Sequence, residues 1–456
     1  MTLLREAITG TEQDFTEGSL TRGIALLAIP TILEMVMESA FGVVDFFWVA
    51  RLGADAMAAT GLTEAVVVLV YTIAIGLSMA ATATIARRIG EKDPEGACVA
   101  AVQSIGMGIA AGVAMGIAGA CFAPQLLGLM HASPQVIAVG TPFARIMLGG
   151  NIVIVMLFLI NGIFRGAGDA AIAMRTLWIA NAINMALDPC FIYGIGPFPK
   201  LGVTGAAVAT TIGRSIGVLY QFWSLFHNGR IVLSRRHVRL DWPVMSRLLV
   251  LGRTAMLQNF VTTASWVTLA RFNAAFGSAA VAGYSLAIRI ILFALMPSWG
   301  ICSAAATLVG QNLGAKKPDR SERAVWLAGA YNCAFLTLIG IVFFTGAPII
   351  VGLFRPEPAV IPMAVTCLRL VSLGYPFYAW GMVMEQAFNG AGDTVTPLRI
   401  NLVCYWMLQI PLAWYLSTRT SLGPRGVYLA VCGAESLLAV ISAAMFHRGT
   451  WKKAQV

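Results

Sequence analysis

Arg165-Gly-Ala-Gly-Asp169 recurs as Asn389-Gly-Ala-Gly-Asp393, 224 positions further along the chain. The same offset carries Ile89-Gly-Glu-Lys-Asp-Pro94 onto Leu313-Gly-Ala-Lys-Lys-Pro318, Arg145 onto Arg369 and Arg175 onto Arg399. Near the ends of the halves, Gly202-Val-Thr-Gly205 matches Gly423-Pro-Arg-Gly426 after a three-residue slip. Self-similarity of this kind marks two copies of one structural unit. Between the motifs lie apolar runs at about 23–50, 57–86, 97–122, 135–164, 170–195, 202–227, 248–270, 280–310, 324–346, 360–388, 395–417 and 424–447. A membrane helix takes about 20 apolar residues, so the runs predict twelve transmembrane helices, six per half. An even number brings both halves into the membrane from the same side. The expected architecture is two six-helix bundles related by a pseudo-two-fold axis along the membrane normal, with a cavity between them.

Composition agrees. Of 456 residues, 58% are hydrophobic and only 11% are charged, against about 25% charged in a soluble domain. An ordinary globular enzyme is excluded, and so is disorder, which needs low hydrophobicity and high charge. The alternating pattern of a membrane barrel is absent, which leaves an all-α integral membrane protein. The net charge of +10 does not point to nucleic acid, because the basic residues sit in short segments between apolar runs. Twenty Lys and Arg lie on one side and six on the other, which predicts cytoplasmic termini. Glu6, Glu12, Asp14 and Glu17 are wrong for a cleaved signal peptide. The chain divides into a cytoplasmic segment 1–22, a first lobe 23–227, a basic cytoplasmic linker 228–247, a second lobe 248–447 and a cytoplasmic tail 448–456. The eight cysteines form no C-x-x-C pair and the four histidines sit at span edges, so neither a disulfide framework nor a histidine metal site is expected.

No G-x-x-x-x-G-K-[S/T], G-x-S-x-G or H-E-x-x-H motif occurs. An ion gradient is then the simplest energy source, with no cofactor beyond the coupling ion. An acid inside a span costs about 2.5–3.5 kcal/mol on insertion scales, so those retained carry information. Glu34, Glu38, Asp45, Glu64 and Asp188 lie in the first half, Glu385 and Glu435 in the second. Glu34, Glu38 and Asp45 fall within about 40° of one helical face. Asn181, Asn184 and Asp188 likewise share a face of the fifth span. Counting rise per residue places Asp45, Asp188 and Glu64 at one depth. Crowded carboxylates compete for charge, so one can hold a proton at neutral pH; with the Asn oxygen they could instead hold Na⁺. Each acid could also serve only to hydrogen-bond a neighbouring Asn, Thr or Arg. The intramembrane Arg residues are expected to pair with acids, Glu385 to be solvated at a helix end, and Glu435 to stand isolated. Glu34, Glu38 and Glu64 are read as a secondary acidic cavity, and Pro30, one turn before the stripe, as a helix hinge.

The run Val44-Asp45-Phe-Phe-Trp-Val-Ala-Arg-Leu-Gly53 resembles the first-helix signature of the multidrug and toxic compound extrusion (MATE) family. So do Asn161-Gly-Ile-Phe-Arg-Gly-Ala-Gly-Asp169, Asn184-Met-Ala-Leu-Asp188-Pro-Cys-Phe-Ile-Tyr-Gly194, Leu201-Gly-Val-Thr-Gly-Ala-Ala-Val-Ala-Thr210 and Gln386-Ala-Phe-Asn-Gly-Ala-Gly-Asp393. The resemblance covers essentially the whole chain and is strongest to the DinF-like branch with an acidic first lobe. It implies export of amphiphilic, often cationic compounds in exchange for H⁺ or Na⁺. It implies a cation site at Asp45, Asn184 and Asp188, completed by Thr210 or Thr211. A glutamate in the seventh helix, used by another branch, is replaced here by Gln258 and Asn259. The expected partners are small amphiphilic substrates and lipid, with no nucleic acid, and the expected setting is a monomer in a bacterial inner membrane. A lipid-linked saccharide flippase of the same superfamily is the alternative; the acid-rich first half weighs against it.

Overall fold

The computed structural model describes residues 2–10, 13–227 and 229–454. The described residues form helices and turns without a strand. After a short helix α1 (Thr2–Thr9), the first half runs α2 (Leu20–Ala50), α3 (Ala54–Gly90), α4 (Pro94–Leu129), α5 (Pro134–Gly149), α6 (Asn151–Ala167), α7 (Ala170–Tyr193) and α8 (Val203–His227). The second runs α9 (Trp242–Ala274), α10 (Ser278–Gly314), α11 (Pro318–Gly352), α12 (Ile361–Ser372), α13 (Tyr375–Ala391), α14 (Val395–Asn401), α15 (Ile410–Thr418) and α16 (Pro424–His447). Each apolar run of the sequence corresponds to one span. Two fourth-position spans are broken, at Gly150 in the first half and at Leu373–Gly374 in the second. The eleventh is broken too: Leu402–Gln409, between α14 and α15, is a π-helical stretch. Backbone so irregular survives in hydrocarbon only where neighbouring helices cover it.

The 224-residue repeat extends to single backbone angles. Lys92 and Lys316 both adopt φ 58°, just before the prolines that open α4 and α11. Gly168 (φ 90°) and Gly392 (φ 88°) end α6 and α13 in the left-handed region, where glycine carries no Cβ penalty. The Asp169 N–H donates to the Phe164 carbonyl and the Asp393 N–H to that of Phe388, at 2.8 and 2.9 Å. The glycine before each cap serves packing. A Cβ on Gly166 would lie 2.7 Å from the Thr82 carbonyl oxygen; one on Gly390 would lie 2.7 Å from the Ala306 carbonyl carbon. Without a hydrophobic drive between helices in lipid, such backbone approach is what joins them.

The chain forms two compact units. One comprises Met1–Gln13 with Leu33–Arg253, the other Asp14–Ile32 with Thr254–Val456. Helix α2 contributes to both. In the second unit its first turns approach α10 so closely that a Cβ on Gly300 would sit 2.9 Å from the Ile32 nitrogen. The preceding turn is tied to the same unit: Lys317 Nζ donates to the Thr16 carbonyl (3.1 Å), and the Phe15 ring is buried. In the first unit, the basic segment after α8 is strapped down rather than loose. Arg230 N–H donates to Asp169 Oδ2 (3.0 Å), and His237 Nε2 lies 2.7 Å from Glu95 Oε2.

Because the Gly166 and Gly390 approaches are to backbone, they cannot relax by a rotamer change. Gly166→Val and Gly390→Val should each lower stability by at least the roughly 1–3 kcal/mol of an overfilled core. Thermal unfolding in detergent reads this, and an unchanged melting temperature in either variant would contradict the shared packing role.

Candidate functional site

The stripe on α2 faces the interior of the first unit and is fastened to α7 at three levels. Trp178 Nε1 donates to the Leu33 carbonyl (3.1 Å), Asn181 Nδ2 to Glu38 Oε2 (2.8 Å), and the Tyr193 hydroxyl to the Trp48 carbonyl (2.9 Å). The acids on that stripe have different surroundings. Glu34, 1% exposed, accepts from Asn161 Nδ2 at 3.1 Å and lies 3.7 Å from Arg165 Nη1. Gln221 in turn donates to Asn161 Oδ1 (2.8 Å). Glu38 has Asn181 on one oxygen and Arg214 Nη2 3.8 Å from the other. Arg214, itself buried, also donates to the Tyr71 hydroxyl (2.9 Å). Glu38 is therefore met on both oxygens, whereas Glu34 takes both contacts on Oε1 and its Oε2 is buried without a hydrogen-bond partner.

About two turns further, the donors run out. Asp45 is half-buried and within electrostatic reach of Glu64, Arg214 and Asp188. Asp188 is 0% exposed, and neither of its oxygens has a hydrogen-bond partner. Asp45 Oδ1 and Asn184 Oδ1 are likewise buried without a partner. Asn184 is oriented by Thr210: its Nδ2 donates to the Thr210 Oγ1 at 2.8 Å, which leaves the amide oxygen free to point elsewhere. Pro189, inside α7, has no N–H to give the carbonyl one turn back. The result is a buried group of oxygen acceptors lacking donors. Buried polar atoms are otherwise paired in folded proteins, and an acceptor-only group is completed by a proton or a cation.

The geometry separates residues that the sequence grouped. Asp45, Asn184, Asp188 and Thr210 come together. Thr211 does not join them, because its hydroxyl donates to the Ala207 carbonyl (2.8 Å). Glu34 and Glu38 occupy separate networks, whereas Glu64 on α3 is exposed and interacts with Asp45. Of the intramembrane arginines, Arg214 pairs with an acid as expected, while Arg369 donates instead to the Phe344 carbonyl (2.9 Å). Two expectations in the second half need correction. Glu385 is not solvated at a helix end: its Oε1 is buried without a partner. Glu435 is not isolated: it is 5% exposed, accepts from the Tyr405 hydroxyl (3.4 Å) and lies within electrostatic reach of Glu385. The broken eleventh span, which no sequence period announces, brings Tyr405 there.

Asn161, 0% exposed, is the hinge of the Glu34 network and was not singled out from sequence; only its place in the Asn161–Asp169 motif hinted at it. Asn161→Leu orphans groups on Glu34 and Gln221, each at a cost of about 1–3 kcal/mol. The variant should melt several degrees lower in detergent, and wild-type melting would show that the network contributes nothing to stability.

The relationships of the chain accord with this arrangement. A family model described as MatE matches twice, over residues 30–190 and 254–415, so the two matches begin 224 residues apart. The chain is similar to a probable multidrug resistance protein NorM of Thermotoga maritima, with 26% identity over 434 residues, 94% of this chain and 93% of the relative. It is also similar to an FAD transporter of Shewanella oneidensis, 25% identical over 391 residues, 85% of this chain and 86% of that one. The solved structure of a MATE in complex with MaL6 matches with a TM-score of 0.91 at 26% identity, over 98% of this chain and 100% of that one. With one family match in each half and near-complete coverage of its relatives, the chain belongs to the MATE family of multi-pass membrane transporters.

Proposed function

We propose that the protein is a cation-coupled antiporter that exports amphiphilic, predominantly cationic small molecules by alternating access. The observation that carries this reading is the group formed by Asp45 Oδ1, Asn184 Oδ1 and both Asp188 oxygens, all buried without a hydrogen-bond partner. Entry of H⁺ or Na⁺ from the high-potential side removes the repulsion between the two aspartates. Exit toward the other side restores it. The membrane potential supplies about 2.3 kcal/mol per charge per 100 mV, and a pH unit adds about 1.4 kcal/mol per proton. One or two ions are thus enough for a ten- to several-hundred-fold substrate gradient at about 1.4 kcal/mol per decade. The relatives named for multidrug resistance support the substrate class, and the acid-rich first unit favours cations over anionic lipid-linked sugars.

Helix α2 supplies the mechanical link in this reading. Pro30 withholds a backbone donor within the helix, and Thr31 bonds back to the Leu27 carbonyl (3.0 Å), a second helix-bending feature. Neutralising Asp45 then changes what the segment beyond Pro30 gains from facing the aspartate on α7. The excess of basic residues on one side of the spans supports cytoplasmic termini, and the bacterial relatives support an inner-membrane setting.

The test is flux in proteoliposomes under an imposed pH or Na⁺ gradient, with a fluorescent cationic dye as cargo. Asp45→Asn and Asp188→Asn should each reduce gradient-driven efflux to the protein-free rate while remaining folded. Thr210→Val, which frees Asn184, should weaken the apparent ion affinity by up to about tenfold, the value of one hydrogen bond. Whichever gradient drives flux names the ion. Wild-type coupled efflux in both aspartate variants would defeat the mechanism.

A further inference from the structure

The basic segment between α8 and α9 has no task in the coupling reading, yet it is neither loose nor hidden. Its first part is anchored. Ile231 and Leu233 are buried, and Cys98 Sγ on α4 donates to the Val232 carbonyl (3.6 Å). The turn that follows is held by its own end: the Ser234 N–H donates to His237 Nδ1 (3.0 Å), and His237 is buried with Nε2 facing Glu95. Beyond His237 the side chains turn outward. Val238, Leu240 and Trp242 are 73%, 76% and 62% exposed, and the exposed Arg235, Arg236 and Arg239 lie among them. We propose that residues 235–242 bind anionic phospholipid at the membrane surface. Arg235 and Arg239 engage the headgroup phosphates, and Val238, Leu240 and Trp242 enter the interfacial layer. The proposal requires only that the chain spans a membrane, and not that it couples to a cation.

The first support is position. The segment leaves one span at His227 and enters the next at Trp242, so it stays beside the bilayer. Its depth follows from α4. Gln103 Nε2 donates to the Arg239 carbonyl (2.6 Å). Gln103 lies about 13 Å along the axis from Pro94, where α4 begins, at 1.5 Å per residue. That level is already inside the apolar run of the span, which puts the backbone at Arg239 at the edge of the apolar layer. A soluble partner would have to displace lipid to reach it.

The second support is charge. The acids close by are engaged. Glu95 meets Arg236 (2.6 Å) and His237, and Asp241 accepts from the Val244 N–H (3.2 Å) at the start of α9. Arg235 and Arg239 make no ion pair among the described residues. Guanidinium matches phosphate in geometry as well as charge, and basic residues beside a span are drawn to anionic lipid. The third support is the mixture of side chains. Tryptophan favours the boundary between headgroup and acyl chain, and attachment is firm where apolar insertion and basic charge act together.

The end of the second unit provides a contrast. Gly449 (φ 71°) follows α16 closely, as Gly229 (φ 100°) follows α8. Two residues on, Trp451 and Ile231 are both buried. There the basic residue that comes next, Lys452, lies 2.6 Å from Glu322 Oε2 and 3.7 Å from Asp319 Oδ1. Its charge is met within the protein, whereas Arg235 and Arg239 present theirs outward.

The test is photocrosslinking from the segment itself. The full-length chain carrying Leu240→p-benzoylphenylalanine is reconstituted in vesicles of equal phosphatidylglycerol and phosphatidylcholine, irradiated, and its adducts are identified by mass spectrometry. Phosphatidylglycerol adducts should exceed phosphatidylcholine adducts at least about threefold, since each arginine adds to the preference for anionic lipid. The excess should fall toward unity in Arg235→Gln/Arg239→Gln. The same label at Ile117, an exposed residue further along α4, should show no excess. Should the double variant not purify as folded protein, Arg239→Gln alone decides by the same criterion. Absence of lipid adducts at position 240, an adduct to another polypeptide, or equal labelling of the two lipids overturns the proposal. So does an excess that persists in the arginine variant or appears equally at Ile117.

Discussion

A carboxylate removed from water must be met by a donor, a counter-charge or a cation, and in a membrane helix no solvent relieves that demand. Helix α2 places three carboxylates on one stripe, and the first unit answers each differently. Asn161 and Arg165 meet Glu34; Asn181 and Arg214 meet Glu38. Asp45 and Asp188 are left with buried oxygens and no donor. The gradation along one helix matters more than the number of acids. Where donors are present the carboxylate is tied into a network between helices. Where they are absent, the buried oxygens are left uncompensated, which is the feature the proposed coupling rests on.

The repeat separates frame from chemistry. Close approach at Gly166 and Gly390, left-handed caps at Gly168 and Gly392, and the φ 58° turns at Lys92 and Lys316 all recur at the same offset. These are backbone constraints, which tolerate few residues. The acids follow no such rule. Glu34 has Gln258 at its repeat position and Glu38 has Thr262. The second unit gathers its own acids on α13 and α16, against tyrosines on α13 and the π-helical stretch. One frame thus carries two chemically different interiors.

How much of this could be read beforehand follows from range. The twelve spans, the repeat and the α2 stripe are local or periodic properties, and hydropathy with a 100° turn per residue exposes them. The grouping of Asp45 with Asp188 was accessible by counting rise from the span ends, because α2 and α7 each run as one continuous helix. Counting failed where a helix is interrupted. Neither the break at Gly374 nor the π-helical stretch leaves a periodic trace, so Glu385 and Glu435 were misplaced in environment though correctly placed in their spans. Which of Thr210 and Thr211 meets the Asn184 amide was also out of reach, since adjacent residues differ only in direction.

The division of α2 between the two units has a bearing on how such a molecule can be built. Asp14–Ile32 packs with Thr254–Val456, although it precedes the whole of the other unit in the chain. A polypeptide severed at the basic segment after α8 would leave the carboxy-terminal fragment short of an arm that only the amino-terminal fragment encodes. Co-expressed pieces would have to exchange that arm to be whole. Any ancestral doubling of a six-helix protein must then have been followed by mutual dependence, and the present molecule is no longer divisible into the two ancestors that its register still records.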